Sequence, residues 1–252
     1  MFKIPRTTKI LLFALVAIAL CSFAVAYLYY SSKNKAEDPR VVETKFMFQR
    51  FDLLMSELDY SSALLLLDTI EAVFTSVPCY RGSFETGIVF NNRGSAFLSM
   101  ALYEVTDSAE QQKLLSFACE SIDSSIRIYK TWLKKYESIS ADSIAKILMP
   151  CFSQHDQALS NSDSKVILKK RVEDIVLAQK AMKRRLAVSY TNLGIPKRHQ
   201  YLQNEVVECY KQAIELWDDN FTARNNFNVL MGNPPEKRSI LDQLFPPDKN
   251  KF

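Results

Sequence analysis

The sequence predicts an all-α protein, and three observations carry that expectation. Only 5 of 252 residues are glycine, so the glycine turns that recur in sheet proteins are scarce. Alternating Val and Thr runs are few, whereas Ala, Leu, Lys, Glu and Ser are frequent, a composition that favours helices joined by short turns. Apolar residues make up 48% of the chain, enough to bury a sizeable core in one or two domains.

The first element is residues 10–30, "ILLFALVAIALCSFAVAYLYY", 21 residues without a charge. As a helix it reaches about 32 Å, the thickness of a bilayer's apolar core. Lys3, Arg6 and Lys9 precede it, as in a signal-anchor, and Tyr27, Tyr29 and Tyr30 fall at the far headgroup level. The expectation is therefore a short tail over 1–9, a transmembrane helix over 10–30 and a linker over 31–40. Ala24-Val25-Ala26 also matches the small-x-small pattern of a signal peptidase site, and cleavage there leaves a secreted protein. Leu20 before Cys21 argues against lipidation. A short N-terminal tail usually stays inside, which places the remainder outside the cytoplasm: a single-pass inner-membrane protein with its domain in the periplasm. An organelle-membrane receptor facing the cytosol is the alternative.

Helices follow near 41–57, 60–76, 84–105, 108–137, 141–149, 163–194, 200–217 and 220–231, with a short turn near 237–244. Pro78, the polar stretch "MPCFSQHDQALSNSDS", Pro234-Pro235 and Pro246-Pro247 mark the loops. The long helix carries an apolar stripe at Leu168, Val172, Ile175, Met182, Leu186, Tyr190 and Leu193, so one face is buried. Pro196 is expected to interrupt it after Gly194. The helical domain runs over 41–233, and 234–252 is a C-terminal tail.

Spacing within this domain repeats. Tyr190-x2-Leu193-Gly194, followed by Val206-x3-Tyr210 and Ala213, gives one helix pair. Arg224-x2-Phe227-Asn228-x2-Met231 opens another unit 34 residues after Tyr190. Phe90-x2-Arg93-Gly94-x2-Phe97 supplies a further opening, and Asp59-Tyr60 with Ala63-x3-Leu67 a weaker trace. This pattern resembles the tetratricopeptide repeat family, well over 187–231, fairly over 83–130 and faintly over 41–76, with a long middle insertion. The resemblance implies antiparallel helix pairs stacked as a short superhelix. Small residues at Ala63, Gly94, Gly194 and Ala213 allow close helix crossings, and each pair buries its apolar face against the next. Asp218 stands where the family has a repeat-ending proline.

No catalytic constellation is legible. His155 lies in a polar loop beside Asp156 and His199 in a basic turn, neither with a ligand at metal-binding spacing. Phosphate-binding glycine loops, G-x-S-x-G and Cys-x-x-Cys are absent from the sequence. The expectation is a protein without enzymatic activity, cofactor, metal or small-molecule substrate. Beyond residue 30 stand 29 Lys and Arg against 28 Asp and Glu, so the domain lacks the global field of a nucleic-acid binder. Ten of the cations fall between Lys165 and Arg198, with only Glu173 and Asp174 as acids. Their spread opposite the apolar stripe is that of a solvated face; an acidic partner, an anionic surface or weak nucleic-acid binding is the functional alternative.

Four cysteines follow the apolar segment and can pair in three ways. Cys79 and Cys151 each follow a proline in a loop and are the candidate disulfide. Cys119 and Cys209 fall inside helices as small apolar residues. The expected function is a membrane-anchored protein-protein interaction scaffold or assembly factor of a bacterial cell envelope, holding a protein or peptide in its concave groove. The family resemblance puts the first helix of each pair on that groove, so its candidate lining is Asn91, Ser95, Thr191, Arg198 and Asn225. "NNRGSAF" also resembles part of the two-carboxylate clamp of chaperone-binding repeats. The Lys-x-x-Gly-Asn opening of that clamp is missing.

Overall fold

The computed structural model describes residues 5–152, 159 and 163–237. Among them the chain is all-helical: α1 (Arg6–Lys35), α2 (Thr44–Ser56), α3 (Tyr60–Ser76), α4 (Phe84–Tyr103), α5 (Ser108–Tyr136), α6 (Ala141–Leu148), a 3-10 turn (Met149–Phe152), α7 (Ser164–His199), α8 (Gln203–Leu216) and α9 (Phe221–Leu230). Several starts are fixed by side-chain caps. Asp59, Asp107 and Asn220 accept hydrogen bonds from the amides of Ser62, Glu110 and Ala223 at 3.0, 2.8 and 3.1 Å, satisfying N–H groups that a helix leaves without partners.

Packing shows how the helices are paired. Gly94 lies against Ile122 and the Ala118 carbonyl, and Gly87 against the Tyr129 ring, so α4 and α5 run antiparallel in close contact. Gly194 lies against Tyr210 in the same way, joining α7 to α8. At each crossing the absent side chain leaves room for a large buried neighbour. α5 also packs antiparallel on α7: the Ser125 and Ser189 hydroxyls are 3.2 Å apart, and Gln200 Nε2 donates to Ser116 Oγ at 3.2 Å. α4 and α7 consequently lie parallel, bridged by Asn91, whose Oδ1 accepts from Ser189 Oγ at 3.0 Å and Asn192 Nδ2 at 3.2 Å. One apolar core runs from Ile122 and Trp132 on α5 through Ile144 on α6 to Ile175 and Met182 on α7, and a second joins Phe51, Leu67 and Phe74 of α2 and α3.

Three expectations are corrected. The membrane-spanning segment over 10–30 is the first: among the described residues, no helix is long and apolar enough to cross a membrane. The single-pass inner-membrane placement falls with it. The second correction is Pro196, which does not end the helix. α7 continues to His199, because Pro196 is fully buried and the Gln200 amide bonds back to its carbonyl at 3.0 Å. Packing outweighs the one backbone bond that a proline removes. Third, residues 31–40 are not a plain linker: α1 runs to Lys35, and Asp38 and Val41 are buried. The turn expected at 237–244 lies outside the described residues beyond Lys237, as does His155.

Candidate protein-binding groove

The five residues expected to line one groove are dispersed. Thr191 is 3% exposed and its hydroxyl accepts from Asn220 Nδ2 at 2.9 Å, so it pins the α8–α9 connection to α7 instead of facing a partner. Asn91 is half-buried and its side-chain Oδ1 is taken up by the α4–α7 contact. The Ser95 hydroxyl donates to the Asn91 carbonyl at 3.1 Å within α4. Asn225 Oδ1 accepts from the Glu236 amide at 2.7 Å and fastens the tail to α9. Arg198 is exposed at the end of α7. None of the five lines the two cavities described next.

Those cavities, about 280 and 530 Å³, adjoin between α2, α4 and α7 and share Lys45, Glu85, Lys170 and Asp174 on their walls. On α7, Arg171, Ala178 and Arg185 recur at intervals of seven, with Ala181 between the last two. The period keeps them on one helix face, and the two alanines open the space between the arginines. Phe84 of α4 closes the floor, while Leu177 stands at the rim 55% exposed. The larger cavity is walled by Val41, Phe48 and Phe74.

Arg171 is 3% exposed and makes a two-pronged ion pair with Glu85, one prong at 3.2 Å. Its guanidinium also lies 4.1 Å from the centre of the Tyr80 ring. Burial is the largest influence on this group and opposes its charge, yet the Glu85 carboxylate, with help from Tyr80 and Asp174, outweighs it and raises the pKa. Burial in turn pushes the Tyr80 phenol well above its usual range. A cation expected on a solvated face is thus a buried tie between α7 and α4. Two further wall cations are paired: Lys170 with Asp174, and Lys45 with Glu37 at 2.6 Å.

The wall near α2 is held by a covalent link. Cys79, between α3 and α4, and Cys151, in the 3-10 turn, form a disulfide with Cα atoms 6.0 Å apart. Arg40 Nη1 donates to the Cys151 carbonyl at 3.0 Å, and Asp38 accepts from Arg40 at 2.7 Å, so residues 38–41 are strapped to the bridge. Cys119 and Cys209 are free thiols. Burial raises them to about 11 and about 12, so both stay protonated at neutral pH. Among the described residues no three His, Cys, Asp or Glu side chains gather to hold a metal. The groove residues that the sequence reading missed, Glu85, Leu177 and Arg185, left one trace: an exposed leucine and two alanines interrupting an otherwise basic helix face. No protein-family model matches the chain, and neither the curated proteins nor the solved structures contain a match.

Proposed function

We propose that this chain is a tetratricopeptide-like helical-repeat module that binds a segment of another protein in the groove between α2, α4 and α7. The support is architectural. α2, α4 and α7 are each followed by a helix packed against them, α3, α5 and α8, so the groove is lined by the first helix of three successive pairs. α6 and the 3-10 turn are the insertion between the second and third pairs. In helical arrays such a face is the concave one, where an extended or helical peptide is accommodated.

The single observation that carries the reading is Leu177, 55% exposed above a floor of Ala178, Ala181 and Phe84. A large apolar side chain held beside a cavity gains free energy when a ligand covers it. The test uses the full chain and peptides selected on it from a random library, with affinity read by fluorescence anisotropy. Leu177→Asp is expected to weaken selected peptides about ten- to hundredfold, the equivalent of losing one buried leucine contact. Its melting temperature should hold, because the side chain is largely outside the core. Undiminished binding to Leu177→Asp overturns the reading.

A further inference from the structure

We infer that the groove recognises a segment in which a large apolar residue is accompanied by an aspartate or glutamate, whose carboxylate pairs with Arg185. This rests on the groove reading above and names the ligand's chemistry.

The inference starts from charge. Each of the other cations on the cavity walls is already matched: Arg171 by Glu85, Lys170 by Asp174 and Lys45 by Glu37. Arg185 is not. Among the described residues no carboxylate forms an ion pair with it, and its Nε is shielded from solvent without a hydrogen-bond partner. Its neighbours are the Phe84 ring, 5.8 Å from the guanidinium, and the Tyr129 hydroxyl. A half-buried cation over an aromatic ring, at the edge of a cavity floored by alanines, is a site of uncompensated positive charge. An incoming carboxylate would complete there the same kind of pair that Glu85 forms with Arg171, two seven-residue intervals further along α7.

The anion is a single side-chain carboxylate for two reasons. A phosphate carries nearly two charges and is held by clusters of cations, whereas only one cation stands unmatched here. A chain-terminal carboxylate is captured by free backbone amides, and around Arg185 the α7 backbone is helix interior, its amides bonded within the helix. Leu177, about two helical turns before Arg185 on α7, gives the apolar neighbour its contact, so both requirements are met on the walls of one cavity.

The experiment takes peptides selected on the full chain and remakes each with its acidic residue changed to Gln or to phosphoserine. Affinities are measured against the wild type, Arg185→Gln, Arg185→Lys and Leu177→Asp. The expected result is enrichment of acidic residues beside a large apolar one, about tenfold weaker binding of the Gln peptides to wild type, and loss of that difference in Arg185→Gln. Arg185→Lys should retain part of the preference. Peptides that bind, and lose binding in Leu177→Asp, yet tolerate Gln without penalty overturn the carboxylate inference and leave the groove reading standing. Peptides indifferent to Leu177→Asp overturn both, and tighter binding of phosphoserine peptides overturns the choice of carboxylate. The substitutions in the peptide keep the test decisive even if an Arg185 variant loses stability.

Discussion

Gly194→Leu tests the helix-pair register most sharply. A Cβ atom added at Gly194 falls against Tyr210 Cε1, with Cζ at 2.8 Å and Cδ1 at 3.0 Å, all below ordinary contact. Tyr210 is 1% exposed, so its ring has nowhere to swing and α7 must move away from α8. Overpacking of this kind costs about 1–3 kcal/mol for added methylenes, and a leucine adds four carbons at the tightest point. The better helix propensity of leucine returns at most about 1 kcal/mol. At the upper end of that range the net expectation is a loss of about 2 kcal/mol, which for a domain of this size lowers the melting temperature by roughly 4–8 °C. Differential scanning calorimetry reads it directly. The double variant Gly194→Leu with Tyr210→Ala should be more stable than the two single effects added, because the alanine vacates the space that the leucine needs. An unchanged melting temperature in Gly194→Leu, or strict additivity in the double variant, would refute the crossing described for α7 and α8.

Glu85→Gln should cost about 3 kcal/mol or more in a urea titration, since it leaves the Arg171 charge buried without its carboxylate; a loss below about 1 kcal/mol would show that the pair is solvated. Reducing the Cys79–Cys151 bridge frees a loop with a sequence separation of 72, and the chain-entropy relation gives a loss of about 4 kcal/mol, measured as the drop in unfolding free energy with and without reductant. Alkaline pH should also destabilise the fold. The Cys119 and Cys209 thiols and the Tyr129 phenol, all raised by burial, keep their protons in the folded state after the unfolded chain has begun to lose them. Their contribution is therefore complete below pH 9 and shrinks as pH rises toward about 11 to 12. A melting temperature that stays flat from pH 8.5 to 11 would contradict that.

Helical content and close crossings were legible because they depend on local signals. Asp59, Asp107 and Asn220 stand directly before apolar periodic runs, and Gly94 and Gly194 interrupt helices where a neighbour must approach. The pairing of Cys79 with Cys151 was a candidate because both follow a proline in a loop. The groove was not legible, since a helical wheel shows which face is apolar but not what stands opposite a polar residue. Arg171 reads as solvated until Glu85, 86 positions away, is placed against it. Asn91 and Thr191 read as groove residues until Ser189, Asn192 and Asn220 take up their hydrogen bonds. Pro196 was misread because a local rule ends helices at proline, while the burial that overrides it comes from tertiary packing.

The central claim is that the face shared by α2, α4 and α7 receives a segment of another protein. Photo-crosslinking with benzoylphenylalanine placed at Leu177, and separately at Ser95, at Arg198 and at the exposed Leu65 of α3, tests it with one selected peptide. A crosslinked product is expected from position 177 and none above background from the other three. A product from position 65, 95 or 198 with none from 177 would contradict it.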